Sequence, residues 1–126
     1  MNNNLIMERL TPQEEMVMLH IWQLNECAIK DVVERMEDPK PPYTTVASIF
    51  QKLENKGYLT KRKFGNVKVF KPKITEAAYK KHFLTRVVRN YFDNSYKELV
   101  SFFAKEQKIT KEELAEIIRL IEKKEE

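Results

Sequence analysis

Two runs of strand-like residues, Leu59–Phe64 and Val67–Lys71, stand on either side of a Gly65-Asn66 dipeptide. A two-residue link rich in Gly and Asn is what a tight β-hairpin requires, because its turn needs positive φ at one or both central positions. No other stretch of the chain carries a strand signal. A lone hairpin cannot bury a core, so the helical segments around it must supply one.

Three helices precede the hairpin. Thr11-Pro12-Gln13-Glu14 opens the first, with Thr11 as cap, Pro12 at the first helical position and Glu14 completing a capping box. Met16, Val17, Leu19, Ile21, Trp22 and Leu24 follow, with Trp22 read as core, until Asn25 breaks the pattern. Ile29, Val32, Val33 and Met36 fall at i, i+3, i+4 and i+7, which predicts a second helix over 29–36. Glu37–Pro42 carries three prolines and reads as a connector. Val46, Ile49, Phe50 and Leu53 repeat the stripe over 43–56, and Gly57 stands where a left-handed C-terminal cap is wanted. Three helices and then a hairpin is the order of a winged helix-turn-helix.

The remainder reads as three helices. Thr75 caps a segment reaching about Phe92, with Tyr79, Phe83, Val87 and Tyr91 at i+4 steps. Asp93-Asn94-Ser95 breaks it, and Tyr96, Leu99, Val100, Phe102 and Phe103 form the next stripe. Thr110 and Glu113 make a second capping box, with Ile109 and Leu114 as a hydrophobic staple. Leu114, Ile117, Ile118 and Ile121 form the last apolar face. The fold class is therefore mainly α with a small β-hairpin. The expected domains are a winged helix-turn-helix over 8–73 and a helical dimerisation region over 74–126, divided near Lys73–Thr75.

Charge is segregated along the chain. Residues 61–89 carry ten basic side chains and one acidic, while the segments on either side are each slightly acidic. The outer face of the third helix has a different character. At 100° per residue, Thr44, Ser48, Gln51 and Asn55 cluster there, flanked by Ala47 and Lys52. An ordinary solvent face carries Glu and Lys. A short, uncharged one suits a helix laid in a major groove, where hydroxyls and methyls read base edges. Base contacts are assigned to Thr44, Thr45, Ala47, Ser48 and Gln51, and backbone contacts to Lys52, Lys61, Arg62, Lys63 and Lys68. Alternation sends Lys61 and Lys63 to one side of the strand and Arg62 to the other. Lysines on phosphates supply affinity with little sequence information.

The tail holds more aromatic surface than three short helices can hide, which points to a homodimer. Its assigned interface is Phe83, Val87, Tyr91, Leu99, Phe102, Phe103, Leu114, Ile117, Ile118 and Ile121. A two-fold dimer places two reading helices on a palindromic operator.

The stretches Lys40-Pro41-Pro42-Tyr43-Thr44-Thr45-Val46, Leu53–Leu59 and Val69–Pro72, with Leu10–Met16 and Trp22, resemble the penicillinase repressor family of BlaI, MecI and CopY type. The similarity spans about residues 8–123. It implies an N-terminal winged helix, C-terminal dimerisation and transcriptional repression by operator binding, and puts Thr44, Thr45, Ala47 and Ser48 where the family's reading helix meets the groove. In β-lactam-responsive members a sensor-linked protease cuts an Asn–Phe bond in the second tail helix. The matching bond here is Phe102–Phe103, which keeps the phenylalanine and lacks the asparagine; it reads either as a protease site or as dimer core. The copper-responsive branch carries a C-terminal cysteine cluster, and this tail has no cysteine.

Other classes fit less well. There is no metal motif, since Cys27, His20 and His82 differ in type and spacing from any zinc or soft-metal set. No cofactor is expected. Nor is there a catalytic constellation, and the acidic pairs Glu14–Glu15 and Glu112–Glu113 read as helix starts, so the chain is not read as an enzyme. A single cysteine fits a reducing compartment. No apolar run reaches the ~18 residues of a membrane span, and Met1–Glu8 lacks the features of a signal peptide. The expected location is the cytoplasm, with no membrane partner. A protein-interaction winged helix is the rival reading, which predicts an acidic or apolar wing. Binding of Lys61–Arg89 to an acidic lipid surface is a third.

Overall fold

The computed structural model describes residues 7–125. The signal-peptide reading of the chain start therefore falls mostly outside the described residues. Six helices and one hairpin follow in the order α1 (Pro12–Leu24), α2 (Ile29–Arg35), α3 (Tyr43–Asn55), β1 (Leu59–Phe64), β2 (Val67–Pro72), α4 (Glu76–Tyr91), α5 (Tyr96–Lys105) and α6 (Lys111–Glu125). The chain forms two compact units, divided between His82 and Phe83 within α4.

Local chemistry sets the boundaries of the helices. Thr11 Oγ1 accepts the Glu14 N–H at 3.1 Å, and Glu14 Oε1 accepts the Thr11 N–H at 2.9 Å, closing the capping box of α1. Asp31 reaches back to the Ala28 N–H at the start of α2. Both α2 and α3 end one residue before the bounds expected from sequence, at Arg35 instead of 36 and at Asn55 instead of 56. Met36 turns to extended backbone, and Lys56 takes the cap position of α3. Gly57 follows at φ +85°, the Gly57 N–H donates to Glu54 O and the Tyr58 N–H to Leu53 O. This pair of bonds is a Schellman cap, and its left-handed residue is where glycine is favoured.

In the first unit, α1, α2 and α3 pack their stripes around Val17, Met18, Ile21, Val32, Val46, Phe50 and Leu53, all essentially buried. The hairpin closes this core. Leu59, at the start of β1, and Phe70, on β2, are buried, and the Phe70 ring meets Phe50 at 4.8 Å between centroids. A backbone bridge between Cys27 and Phe70 adds the loop before α2 to the hairpin. Trp22 is half-buried against the core, and its indole N–H donates to Ile74 O at 2.9 Å. The Tyr79 ring meets Trp22 at a tilt and Tyr58 edge-on, and its hydroxyl donates to Glu15. Tyr79, which continues the tail's aromatic stripe in sequence, thus packs with the first unit.

The second unit holds the rest of α4 with α5 and α6. Ser95 caps α5, and Thr110 with Glu113 forms the capping box of α6. Phe92, Phe102 and Phe103 form a chain of edge-on ring contacts. Among the described residues of this unit only Val88 is buried, while Tyr91 is 78 % exposed and Leu120 65 %. No described helix is long and apolar enough to cross a membrane.

Candidate nucleic-acid interface

The core stripe of α3 fixes which of its side chains face outward. With Val46, Ile49, Phe50 and Leu53 buried, Thr44, Thr45, Ser48, Gln51 and Lys52 are exposed, and Ala47 is half-buried on the flank. Gln51 donates to Asn55 at 3.2 Å, one turn further along. The N-terminal turn of α3 has no side-chain cap; the Thr45 and Val46 N–H groups bond Pro42 O instead. Both threonine hydroxyls at this end therefore remain available to an external partner.

The hairpin pairs Leu59 with Pro72, Lys61 with Phe70, and Lys63 with Lys68. Successive side chains alternate in face, so Lys61, Lys63 and Lys68 share the side of buried Leu59 and Phe70, farther out toward the turn. Arg62, Phe64 and Val67 lie on the other side. Gly65, at φ +63°, makes the turn.

Not every wing cation is equivalent. Lys61 pairs with Glu54 of α3 at 3.4 Å, and Arg62 with Glu26, in the loop before α2, at 2.9 Å. The Arg62 guanidinium also lies over the Phe64 ring, 5.2 Å from its centre. Lys63 and Lys68 face each other directly across the strands and join none of the ion pairs among the described residues. Like charges directly opposite in a ladder are destabilising. The free protein therefore carries an electrostatic penalty that a polyanion would relieve.

The acidic partners of Lys61 and Arg62 had no sequence signal. Glu26 and Arg62 are 36 residues apart, and the Cys27–Phe70 bridge helps bring their segments together. Phe64 and Val67, both more than half exposed at the tip, read in sequence merely as strand formers.

Two anchors tie the residues just after α3 to the start of α1 and the segment before it. Glu14 is 3 % exposed, and Lys56 Nζ meets its Oε1 at 2.6 Å while also bonding Arg9 O. Burial alone would raise the Glu14 carboxyl, but the Lys56 hydrogen bond, the Thr11 N–H and the Lys56 charge together hold it below its usual value of 4.5. Tyr58 donates its hydroxyl to Glu8 O at 2.6 Å. Burial, then the charges of Glu14, Glu8 and Glu15, raise its phenol. Cys27 is buried, and that burial together with Asp31 pushes its thiol up to about 11, far from thiolate chemistry. No three His, Cys, Asp or Glu side chains gather as a metal set among the described residues.

A model of the penicillinase repressor family matches residues 10–123, nearly the whole chain. The chain belongs to the penicillinase repressor family. This repressor-family chain is similar to the solution structure of the DNA-binding domain of the repressor BlaI, at 25 % identity and a TM-score of 0.51, over 59 % of this chain and 92 % of that one. A ligand-free crystal structure of the organohalide-sensing RdhR transcriptional regulator matches at 18 % identity and a TM-score of 0.49, over 91 % of this chain and 62 % of that one. No curated protein matches the chain. The fold is a mainly helical winged helix-turn-helix followed by further helices, as the periodicity and the hairpin signal predict.

Proposed function

We propose that this member of the penicillinase repressor family is a homodimeric transcriptional repressor that reads a palindromic DNA operator with α3 and grips its phosphates with the wing. The exposed, uncharged outer face of α3 beside an unneutralised lysine pair carries the reading. Thr44, Thr45, Ser48 and Gln51 are the base-contacting side chains, with Ala47 allowing close approach. Lys63, Lys68 and Lys52 are the principal phosphate contacts. Lys61 and Arg62 contribute less, because binding must first draw them from Glu54 and Glu26.

The apolar side chains left exposed on α4, α5 and α6 support dimerisation through the second unit. Phe83, Tyr91, Phe102, Phe103, Ile117, Ile118 and Ile121 are all exposed there, too much apolar surface for a chain that stays monomeric. The Phe102–Phe103 bond lies in mid-α5 with both rings in aromatic contact. The asparagine of the family's cleaved bond is replaced here by Phe102, whose ring packs with Phe92 and Phe103, so these phenylalanines are assigned to the dimer face rather than to a cleavage site.

Selection of duplexes from a random pool by the purified protein tests this function. The expected result is an inverted repeat with half-sites about one or two helical turns apart. A protein-interaction module would enrich no sequence, and that outcome would overturn the reading. Thr45→Glu or Ser48→Glu should abolish the selected preference while circular dichroism and oligomeric state stay unchanged.

A further inference from the structure

A cleft of ≈540 Å³ opens among α1, the end of α2 with its connector, and α3. That volume lies within the roughly 300–1,000 Å³ of small-molecule sites. Buried Val17, Val46 and Ile49 contribute to its lining, together with Met16 and Met36. Met16 is 55 % exposed. Methionine adapts its shape to whatever fills such a gap.

Arg35 and His20 are among its polar groups, with Gln13, Glu37 and Thr45. The Arg35 Nε–H donates to His20 Nδ1 at 3.4 Å, and its guanidinium also donates to Gln23. Both partners are neutral acceptors, and Arg35 joins none of the ion pairs among the described residues. Burial, and then the Arg35 charge, lower the His20 pKa, which favours the neutral imidazole near pH 7. With Nδ1 accepting, the proton sits on Nε2 as a second donor. The cleft thus combines an apolar lining with a guanidinium outside the ion pairs of the described residues and an imidazole N–H. Glu37 also lines it and disfavours a ligand with a second negative charge.

We propose that this cleft binds a small apolar monocarboxylate, its head on Arg35 and His20 and its body against Val17, Ile49 and the two methionines. Thr45 lines the same cleft and is exposed on α3. A ligand in contact with Thr45 competes with its approach to a base, so occupancy weakens DNA binding. This second part rests on the function proposed above; the binding itself does not.

The test uses the full chain with ¹³C-labelled methionine methyls and the probe 4-phenylbutyrate. All five methionines precede residue 37, so a probe adhering to the exposed tail adds no methionine signal of its own. Saturable shifts are expected at Met16 and Met36, with Met18, which is fully buried, unmoved. The alcohol 4-phenylbutanol should bind about tenfold more weakly for want of the charge-assisted bond. Arg35→Gln should bring the carboxylate down to the alcohol's level with the unliganded Met18 signal unchanged. Absence of saturation up to about 10 mM, or equal binding of acid and alcohol, would overturn the site. Saturating probe should also lower affinity for the selected duplex, and the duplex should lower probe affinity by the same factor. Saturable binding with no such reciprocal effect would overturn the coupling alone. If no duplex binds at all, the methyl shifts still decide the site, and the two failures are told apart.

Discussion

Glu14 is the residue where sequence and structure meet most closely, because two roles share one carboxylate. Its capping-box role is legible from Thr11-Pro12-Gln13-Glu14 alone. Its burial against Lys56, 42 residues on, is not, since nothing in local spacing brings the start of α1 to the end of α3. The two roles separate by substitution. Glutamine serves a capping box as well as glutamate does, so Glu14→Gln keeps the cap and removes the ion pair. Breaking a buried pair from one side costs about 3 kcal/mol, and chemical denaturation at pH 7 should show a loss of that order. The sign of the pH dependence follows from the lowered carboxyl. A depressed folded-state pKa gives stability that is present above the unfolded value of 4.5 and lost as pH falls through the folded value. The gap between native and Glu14→Gln stabilities should therefore narrow below pH 4.5. A gap that stays constant from pH 7 to pH 3 would mean that the carboxylate charge contributes nothing.

Among the elements, the wing carries a charge arrangement unfavourable to itself, as the proposed grip on phosphates requires. Lys63 opposite Lys68 is an arrangement that a hairpin selected for stability alone would avoid. Lys68→Glu converts repulsion into a cross-strand pair and should raise the stability of the free protein by about 0.5 kcal/mol. The same change should weaken binding to every duplex and reduce the salt slope by about one unit. Lys61→Ala should move the slope less, because Glu54 already neutralises that lysine. If Lys61 and Lys68 prove equivalent in titrations against sodium chloride, the ion pairs with α3 do not persist in solution. How far such an element can be read from sequence depends on the range of the interactions. The helix starts, the Gly57 cap and the Gly65-Asn66 turn follow from bonds spanning a few residues, and the ladder register follows from the turn. The assignment of Lys61 and Arg62 to acidic partners spans elements, as does the ring contact of Tyr79 with Trp22. Charge counting along the chain therefore marks the wing as basic without revealing which of its cations are already neutralised.

For the whole molecule, the first unit buries a core from every one of its elements, whereas the second leaves most of its apolar residues in solvent. A second copy would remove that surface from water at roughly 25 cal/mol per Å² of apolar area. It would also couple two reading helices, so that the second half-site binds at an effective concentration instead of from bulk. Ile118 is 53 % exposed in the isolated chain, so Ile118→Lys should leave the fold of the chain largely unstrained. In the dimer it would bury a charge without a partner, which is strongly unfavourable. Sedimentation equilibrium should then show a monomer, against a dimer for the native chain as proposed. Affinity for the inverted repeat should fall by about a hundredfold or more toward that of a single half-site, while half-site affinity stays the same. Equal losses on the full site and the half-site would instead place Ile118 in support of the reading head. A native chain already monomeric at micromolar concentration would mean that its exposed aromatic and aliphatic side chains serve a partner other than itself.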